Sequence, residues 1–127
     1  MMHSTLTPEI VRLSVPRSLE YVRLVRLTAA GFAARLGYDV EEIEDVRTAV
    51  DELASIVVES GAGGELEVLF YVAAGALVVE GSAAANAEPT VDELAHDILA
   101  VVVKRHETGL DGNRAWFRCD KPLPTGG

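Results

Sequence analysis

The stretch from Asp39 to Ser60 constrains the fold most, because its periodicity, caps and charges all predict one long amphipathic helix. Apolar residues recur at three- and four-residue steps on one side, and these are Ile43, Val46, Val50, Leu53 and Val57. The opposite side carries Asp45, Thr48, Glu52, Ser55 and Glu59. Asp39 and Glu42 have the spacing of a capping box, and Gly61 is placed to end the helix in the left-handed conformation. The chain therefore contains a central helix with one buried face.

Shorter patterns predict the remaining elements. Alternating apolar residues predict strands at 10–15, 65–72, 76–80 and 113–120, separated by a hairpin at 73–75, a small-residue loop at 82–90 and an Asp-Gly turn at 111–112. Ser18 caps a predicted first helix that ends at Leu36 and Gly37. Thr90 caps a predicted third helix whose apolar stripe is Val91, Leu94, Ile98 and Val101, with Lys104, Arg105 and His106 in its last turn and Gly109 as its stop.

The length and composition predict a single domain. The chain has 127 residues, of which 49% are hydrophobic and 24% charged, and this is enough apolar material for one core. Three helices and about four strands predict an α+β two-layer sandwich, with a mainly antiparallel four- to five-stranded sheet and the helices on one face. Residues 1–9 and 121–127 are expected to be flexible tails.

The charges argue against nucleic acid as a partner. The net charge is -9, whereas phosphate backbones require clustered Lys and Arg. The distribution is bipolar, since residues 1–36 hold five Arg and two acids, while residues 37–99 hold fifteen acids and one Arg. Such an acidic surface suits a basic protein partner.

No segment resembles a secretion signal or a membrane span, so a cytoplasmic location is expected. Cys119 is the only cysteine, and its alternation with Ala115 and Phe117 predicts a buried thiol. The histidines at 3, 96 and 106 are scattered along the chain, so no metal site is predicted.

The segment AVDELASI, Ala49 to Ile56, resembles the RsbW-like anti-sigma-factor serine kinases, which have the Bergerat (GHKL, histidine-kinase-like) ATPase fold. The family carries a helical Glu and, four residues later, an Asn. The resemblance implies that Glu52 occupies the place of the general base, and that Ile56 replaces the Asn that holds the magnesium of ATP. An aliphatic side chain offers no oxygen ligand, so a degenerate member is expected.

The family's other nucleotide motifs are equally weak in this chain. Where the family has Asp-x-Gly-x-Gly and a glycine-rich lid, this sequence has EGSAAANAEPT, in which Glu80, Ser82 and Ala84 give only a faint match. Glu88, Asp92 and Glu93 place carboxylates where a phosphate would need amides and cations. No bound cofactor is expected, and ATP with magnesium only if the chain is a kinase after all.

The resemblance also implies partners. Arg26, with Arg23 beside it, occupies the place of a first-helix arginine that the sporulation-type members use to contact a sigma factor, and family members dimerise near the first helix and strand. We therefore expect a homodimeric regulator that binds a sigma factor or an anti-sigma antagonist without turnover. Two alternative functions remain: an active serine kinase, or a non-catalytic subunit of an active paralogue.

Overall fold

The computed structural model describes residues 9–124, which form eight elements. The helices are α1 (Leu19–Arg35), α2 (Val40–Val58) and α3 (Glu93–Val102). The strands are β1 (Val11–Pro16), β2 (Glu65–Ala73), β3 (Ala76–Ala84), β4 (Arg105–Asp111) and β5 (Arg114–Pro122). Within residues 9–124, no helix combines the length and the hydrophobicity that a transmembrane span requires.

The strands form one antiparallel sheet in the order β1-β2-β3-β5-β4. Because side chains alternate between the two faces of a strand, one face of the sheet collects the buried apolar residues, among them Leu66, Phe70, Val79 and Phe117. The helices cover that face, and α2 packs against α1 and α3. The predicted α+β two-layer sandwich is confirmed, with five strands.

The central helix follows its local signals. Asp39 accepts a hydrogen bond from the backbone of Glu42, and the Glu42 side chain accepts one from the backbone of Asp39, so the predicted capping box is present. Its buried face includes Val46, Val50, Leu53 and Val57, as the periodicity predicts. Gly61 does not have the predicted left-handed conformation, which belongs to Gly63 and Gly64. The helix ends instead at Glu59, whose backbone remains right-handed.

The prediction for the third helix was wrong at both ends. Asp92, not Thr90, caps it by accepting a hydrogen bond from the backbone of Ala95. The helix stops at Val102, and Lys104, Arg105 and His106 lie beyond it, the last two in strand β4. Gly109 is not a helix stop but a residue of β4, where the Trp116 ring lies across it. A short, polar edge strand has little apolar alternation, which explains why its sequence gave no strand signal.

The buried side of α3 is also one residue away from the predicted one. Ala95 and Leu99 face the core, whereas Leu94 and Val101 of the predicted stripe are exposed. A shift of one residue turns the buried side of the helix by about 100° around its axis. Leu94 and Val101 therefore face solvent.

Two strands are longer than predicted. β3 continues through Ser82 to Ala84, so the predicted loop begins later. β5 continues to Pro122, and Leu123 packs against the core while its backbone donates to Gly75. Residues 121–124 are thus not a tail, and the predictions for 1–8 and 125–127 lie outside the described residues.

A close approach between two strands depends on one glycine. A Cβ atom at Gly81 of β3 would lie 2.2 Å from the Phe117 ring of β5. Gly81 and Phe117 are register partners on the helix-covered face. The ring therefore occupies the space that any side chain at position 81 would need.

Arg17, between β1 and α1, ties three segments together. Its guanidinium donates to the carbonyl oxygens of Val57 and Val58 at 3.0 Å each, at the end of α2. It also donates to the carbonyl of Gly63 and to that of Ala84, at the end of β3. The last carbonyls of a helix have no partner within the helix and carry a partial negative charge. Arg17 therefore satisfies acceptors that the helix cannot satisfy itself.

We predict that Arg17→Ala lowers the free energy of unfolding by about 2–3 kcal/mol, because partly buried carbonyls lose a charged donor. Arg12→Ala is the matched control, since Arg12 is exposed on β1 and belongs to none of the ion pairs of residues 9–124. Urea unfolding of the two variants measures the difference. Equal stability of both variants would contradict a structural role for Arg17.

Cys119 gives a second prediction. Burial raises the pKa of its thiol to about 12, and the charge of Asp120 acts in the same direction. A thiol whose pKa is higher in the folded state favours folding below its unfolded pKa and loses that contribution as the pH rises. We expect the stability to fall above about pH 9, and to fall less steeply in Cys119→Ala.

The measurement is urea unfolding across this pH range, with reaction of the native thiol followed in parallel. The folded protein should resist alkylation, because the thiolate is the reactive form and the side chain is buried. Rapid alkylation at neutral pH without unfolding would show that the thiol is accessible.

Candidate functional site

Two sets of residues lie where the sequence predicts function, and both involve α2. The first set lies in the C-terminal half of α2. Glu52 and Ile56 are one helical turn apart there, and both are partly exposed. A cavity of about 280 Å³ opens beside Ile56 and is lined by Ile56, Glu59, Ser60, Ala87, Glu88 and Thr90. α2 provides one wall of this cavity, and the segment between β3 and α3 provides the other.

The chemistry of this cavity is acidic and apolar. Ile56 has no oxygen to offer a hard cation such as magnesium. Glu59 and Glu88 line the same space, and their carboxylates repel phosphate oxygens. The cavity has no lysine or arginine in its lining.

The three residues matched to the family's glycine motif are not part of this cavity. Glu80 and Ser82 lie on the sheet face away from the helices, because their neighbours Val79 and Gly81 point toward the core. Glu80 forms an ion pair with Arg118 at 3.4 Å, and the Ser82 hydroxyl accepts hydrogen bonds from Arg114. Ala84 ends β3, where its carbonyl accepts from Arg17. The fold thus separates these residues from Ile56.

The same open face carries a shallow depression of about 360 Å³. Its wall includes Arg12, Leu69 and Trp116 together with Glu80 and Arg118. Arg118 also pairs with the buried Asp120 at 3.0 Å. Glu80 and Arg118 therefore bind one another across the neighbouring strands β3 and β5, which stabilises the sheet surface.

The second set of residues lies between α1 and α2 and includes Arg26. The Nη1 atom of Arg26 donates to the Oδ1 atom of Asp51 at 3.0 Å. Arg47 pairs with Glu44 at 3.2 Å beside it, and these four residues line a cavity of about 90 Å³ with Thr48. We call this set the α1–α2 charge cluster. Arg26 is therefore engaged by its own chain, with 31% of its side chain exposed.

The cluster retains unused donors. The Nε atoms of Arg26 and Arg47 are buried and have no hydrogen-bond partner within residues 9–124. Arg23, also predicted to bind a partner, is exposed on α1 and is not part of the cluster. Arg47 was missed by the sequence analysis, although it is the one basic residue among fifteen acids in residues 37–99.

The histidines are not all scattered. His96 of α3 and His106 of β4 meet edge to face, with ring centroids 5.5 Å apart. Burial, followed by the charge of His96, lowers the pKa of His106. In the described part of the chain, no three His, Cys, Asp or Glu side chains are grouped so that they could hold a metal ion, and His3 lies outside that part.

Comparison with known proteins gives relatives for about half of the chain. Serine-protein kinase RsbW of Bacillus pumilus is 39% identical over 72 residues, which are 52% of this chain and 44% of the relative. RsbW of Halalkalibacterium halodurans is 40% identical over 67 residues, 51% of this chain and 41% of the relative. RsbW of Bacillus subtilis is 37% identical over 68 residues, 50% and 42% of the two chains. No family model matches the chain.

A solved structure extends the similarity to the whole fold. The crystal structure of the RsbU and RsbW domains of a Mycobacterium tuberculosis protein matches with a TM-score of 0.72. The match covers 94% of this chain and 34% of the other, at 14% sequence identity. At this identity the match establishes the fold alone.

These similarities confirm the resemblance to the RsbW-like anti-sigma-factor serine kinases. They also confirm the fold class, since the solved structure contains an RsbW domain. The chain spans less than half the length of the curated relatives it matches. The similarity therefore identifies the relatives and the fold, and the chemistry of this chain must be inferred from its own residues.

The Arg26–Asp51 pair can be tested for a structural role. We predict that a double-mutant cycle with Arg26→Ala and Asp51→Ala gives a coupling below about 1 kcal/mol, because both side chains are partly exposed and screened by solvent. The exposed Arg47–Glu44 pair on α2 is the matched control, with an expected coupling of about 0.3–0.5 kcal/mol. Urea unfolding measures both cycles.

A coupling above about 2 kcal/mol would contradict this prediction. It would mean that Arg26 holds α1 against α2. A small coupling leaves Arg26 able to exchange Asp51 for a carboxylate of another protein.

Proposed function

We propose that this chain is an anti-sigma-like regulator that acts by binding proteins, in the cytoplasm, and not by transferring phosphate from ATP. The observation that carries the proposal is Ile56, in the place where the family resemblance puts the magnesium ligand. The relatives are serine-protein kinases by name. We propose protein binding for this chain, without the phosphate transfer that the relatives' name states.

The surroundings of Ile56 support the absence of a nucleotide. A triphosphate with magnesium requires oxygen ligands for the metal and cations or backbone amides for the phosphates. The cavity offers an aliphatic side chain and two carboxylates, Glu59 and Glu88. The Glu80, Ser82 and Ala84 segment lies in strand β3 and is engaged with arginines there. These residues do not fit Mg-ATP, and we infer no step through it.

The α1–α2 charge cluster supports protein binding. A guanidinium binds a carboxylate through two parallel hydrogen bonds. The pair with Asp51 is partly exposed, so a partner's carboxylate can replace Asp51. The side chains of Arg26 and Arg47 are 31% and 38% exposed. A partner's carboxylate would approach their terminal nitrogens, since the Nε atoms are buried. The proposed partner is a sigma factor or an anti-sigma antagonist, with Arg26 as the central contact and Arg23 beside it.

The proposal includes a homodimer near the first helix and strand. Leu24 and Leu27 of α1 are 46% and 52% exposed, and Val11 of the edge strand β1 is 39% exposed. Apolar side chains that remain exposed on neighbouring elements are typical of an interface. The apolar surface available near β1 and α1 therefore agrees with the family-based expectation.

The kinase alternative rests on Glu52, which matches the family's general base and is partly exposed on α2. A general base needs a substrate and a nucleotide within reach. A non-catalytic subunit of an active paralogue would share the binding surfaces proposed here. Nucleotide binding distinguishes the first alternative, and the identity of the partner distinguishes the second.

The test is calorimetry of the purified chain with the sigma factors and anti-sigma antagonists of its own organism, each with and without Mg-ATP. We expect one of them to bind with an affinity that Mg-ATP does not change. Arg26→Ala should weaken that binding about thirtyfold, which corresponds to about 2 kcal/mol for a central interface arginine. The melting temperature should hardly change.

Arg35→Ala is the matched control, because Arg35 is exposed on the same helix and lies outside the charge cluster. Equal weakening by both variants would remove Arg26 from the interface. A micromolar dissociation constant for Mg-ATP, with phosphate transfer to a partner serine that Glu52→Ala abolishes, would restore the kinase.

A further inference from the structure

The outer side of α3 carries an apolar stripe that the fold leaves largely exposed. The stripe consists of Leu94, Ile98 and Val101, which are four and three residues apart and so lie on one side of the helix. Leu94 is 70% exposed and Val101 is 82% exposed, whereas Ile98 is partly buried. We call these residues the α3 stripe.

The exposure of the α3 stripe is unusual for a helix in a small domain. A surface helix normally turns its most apolar side to the core. Here the core receives Ala95 and Leu99, with Val102 partly buried beside them, while Leu94 and Val101 face outward. Single exposed apolar residues are ordinary, but a row of them along one helix side is typical of an interaction site.

The rim of the α3 stripe is acidic. Glu88, Asp92, Glu93 and Asp97 are all exposed around the start and the side of the helix. Residues 81–103 contain no lysine or arginine. The acids lie around Leu94 and Ile98, and they attract positively charged groups to that part of the stripe. Lys104 and the Lys121 amine, which donates to the carbonyl of Val102, lie at the C-terminal end of the helix.

We propose that the α3 stripe is the docking surface for an amphipathic, basic helical segment of a partner protein. Apolar side chains of the segment would pack on Leu94, Ile98 and Val101, as in other helix-in-groove complexes. Its lysines and arginines would face Glu93 and Asp97. Charge complementarity of this kind sets partner choice and raises the association rate, and salt weakens it.

The charges exclude two other occupants. In a twofold dimer through this surface, each copy would present the same acids to the other, and like charges would face each other. An anionic membrane would be repelled for the same reason. A basic protein segment is the occupant that satisfies both the apolar stripe and its rim.

This surface is separate from the α1–α2 charge cluster. α2 packs against both α1 and α3, so the cluster and the stripe lie at different places on the helical layer. The inference goes beyond the proposed function, which concerns Arg26. A variant at either surface can therefore fail without affecting the other.

The experiment uses the full chain and a fluorescent helical peptide of leucine and lysine with an amphipathic pattern, followed by anisotropy. A matched peptide of leucine and glutamate is the charge control and should not bind. Leu94→Ser/Val101→Ser should weaken binding of the basic peptide by at least about tenfold. Val40→Ser, which changes a valine of α2 that is 78% exposed, should bind as the wild type does.

A second measurement keeps the result independent of folding of the variants. In the wild type, the basic peptide should slow amide exchange within residues 93–102, and Glu93→Gln/Asp97→Asn should reduce both the affinity and its salt dependence. Failure of the basic peptide to bind, equal binding by Leu94→Ser/Val101→Ser, or protection confined to other elements would each overturn the proposal. So would a dimer that Leu94→Ser/Val101→Ser dissociates, or binding to phosphatidylglycerol vesicles that the same variant abolishes.

Discussion

The arrangement of the whole domain depends on the guanidinium of Arg17. It follows β1 directly and reaches the carbonyls at the end of α2 and at the end of β3. The last carbonyls of a helix lack donors and carry a partial negative charge. The guanidinium of Arg17 donates hydrogen bonds to these carbonyls, and its positive charge offsets theirs. Burial, followed by the charge of Arg114, lowers the pKa of Arg17, but an arginine remains protonated. The first strand, the central helix and the middle strand of the sheet are thereby held in one geometry.

Much of the fold was predictable because its strongest elements are specified locally. The Asp39–Glu42 capping box and the apolar stripe of α2 are short-range patterns, and the structure has both. The errors lie where tertiary contacts decide. The apolar strength of Leu94 and Val101 suggested the wrong buried side for α3, because the choice of Ala95 and Leu99 depends on how the helix packs against α2. Strand β4 pairs with β5 through register, and its own residues carry no alternation that would predict it.

The candidate site, like the fold, has some features that the sequence predicts and others that depend on tertiary contacts. Ile56 and Glu88 are visible in the sequence, and the structure adds that Glu59 lines the same cavity as these two residues. The partner of Arg26 was not predictable, since Asp51 lies 25 residues away on another helix. The same is true of Glu80 and Ser82, whose strand continues past the predicted end and turns them away from the helices. The sequence indicated which residues could be functional. Only the structure shows which of them lie close together.

The contact between Gly81 and Phe117 couples two distant positions of the sequence. The ring of Phe117 fills the space beside β3 that a side chain at position 81 would take. A larger residue at 81 is compatible with this sheet only if residue 117 becomes smaller, because a packed core does not absorb extra volume without strain. Changes at one of these positions should therefore be paired with changes at the other, and among divergent relatives their summed volume should stay nearly constant.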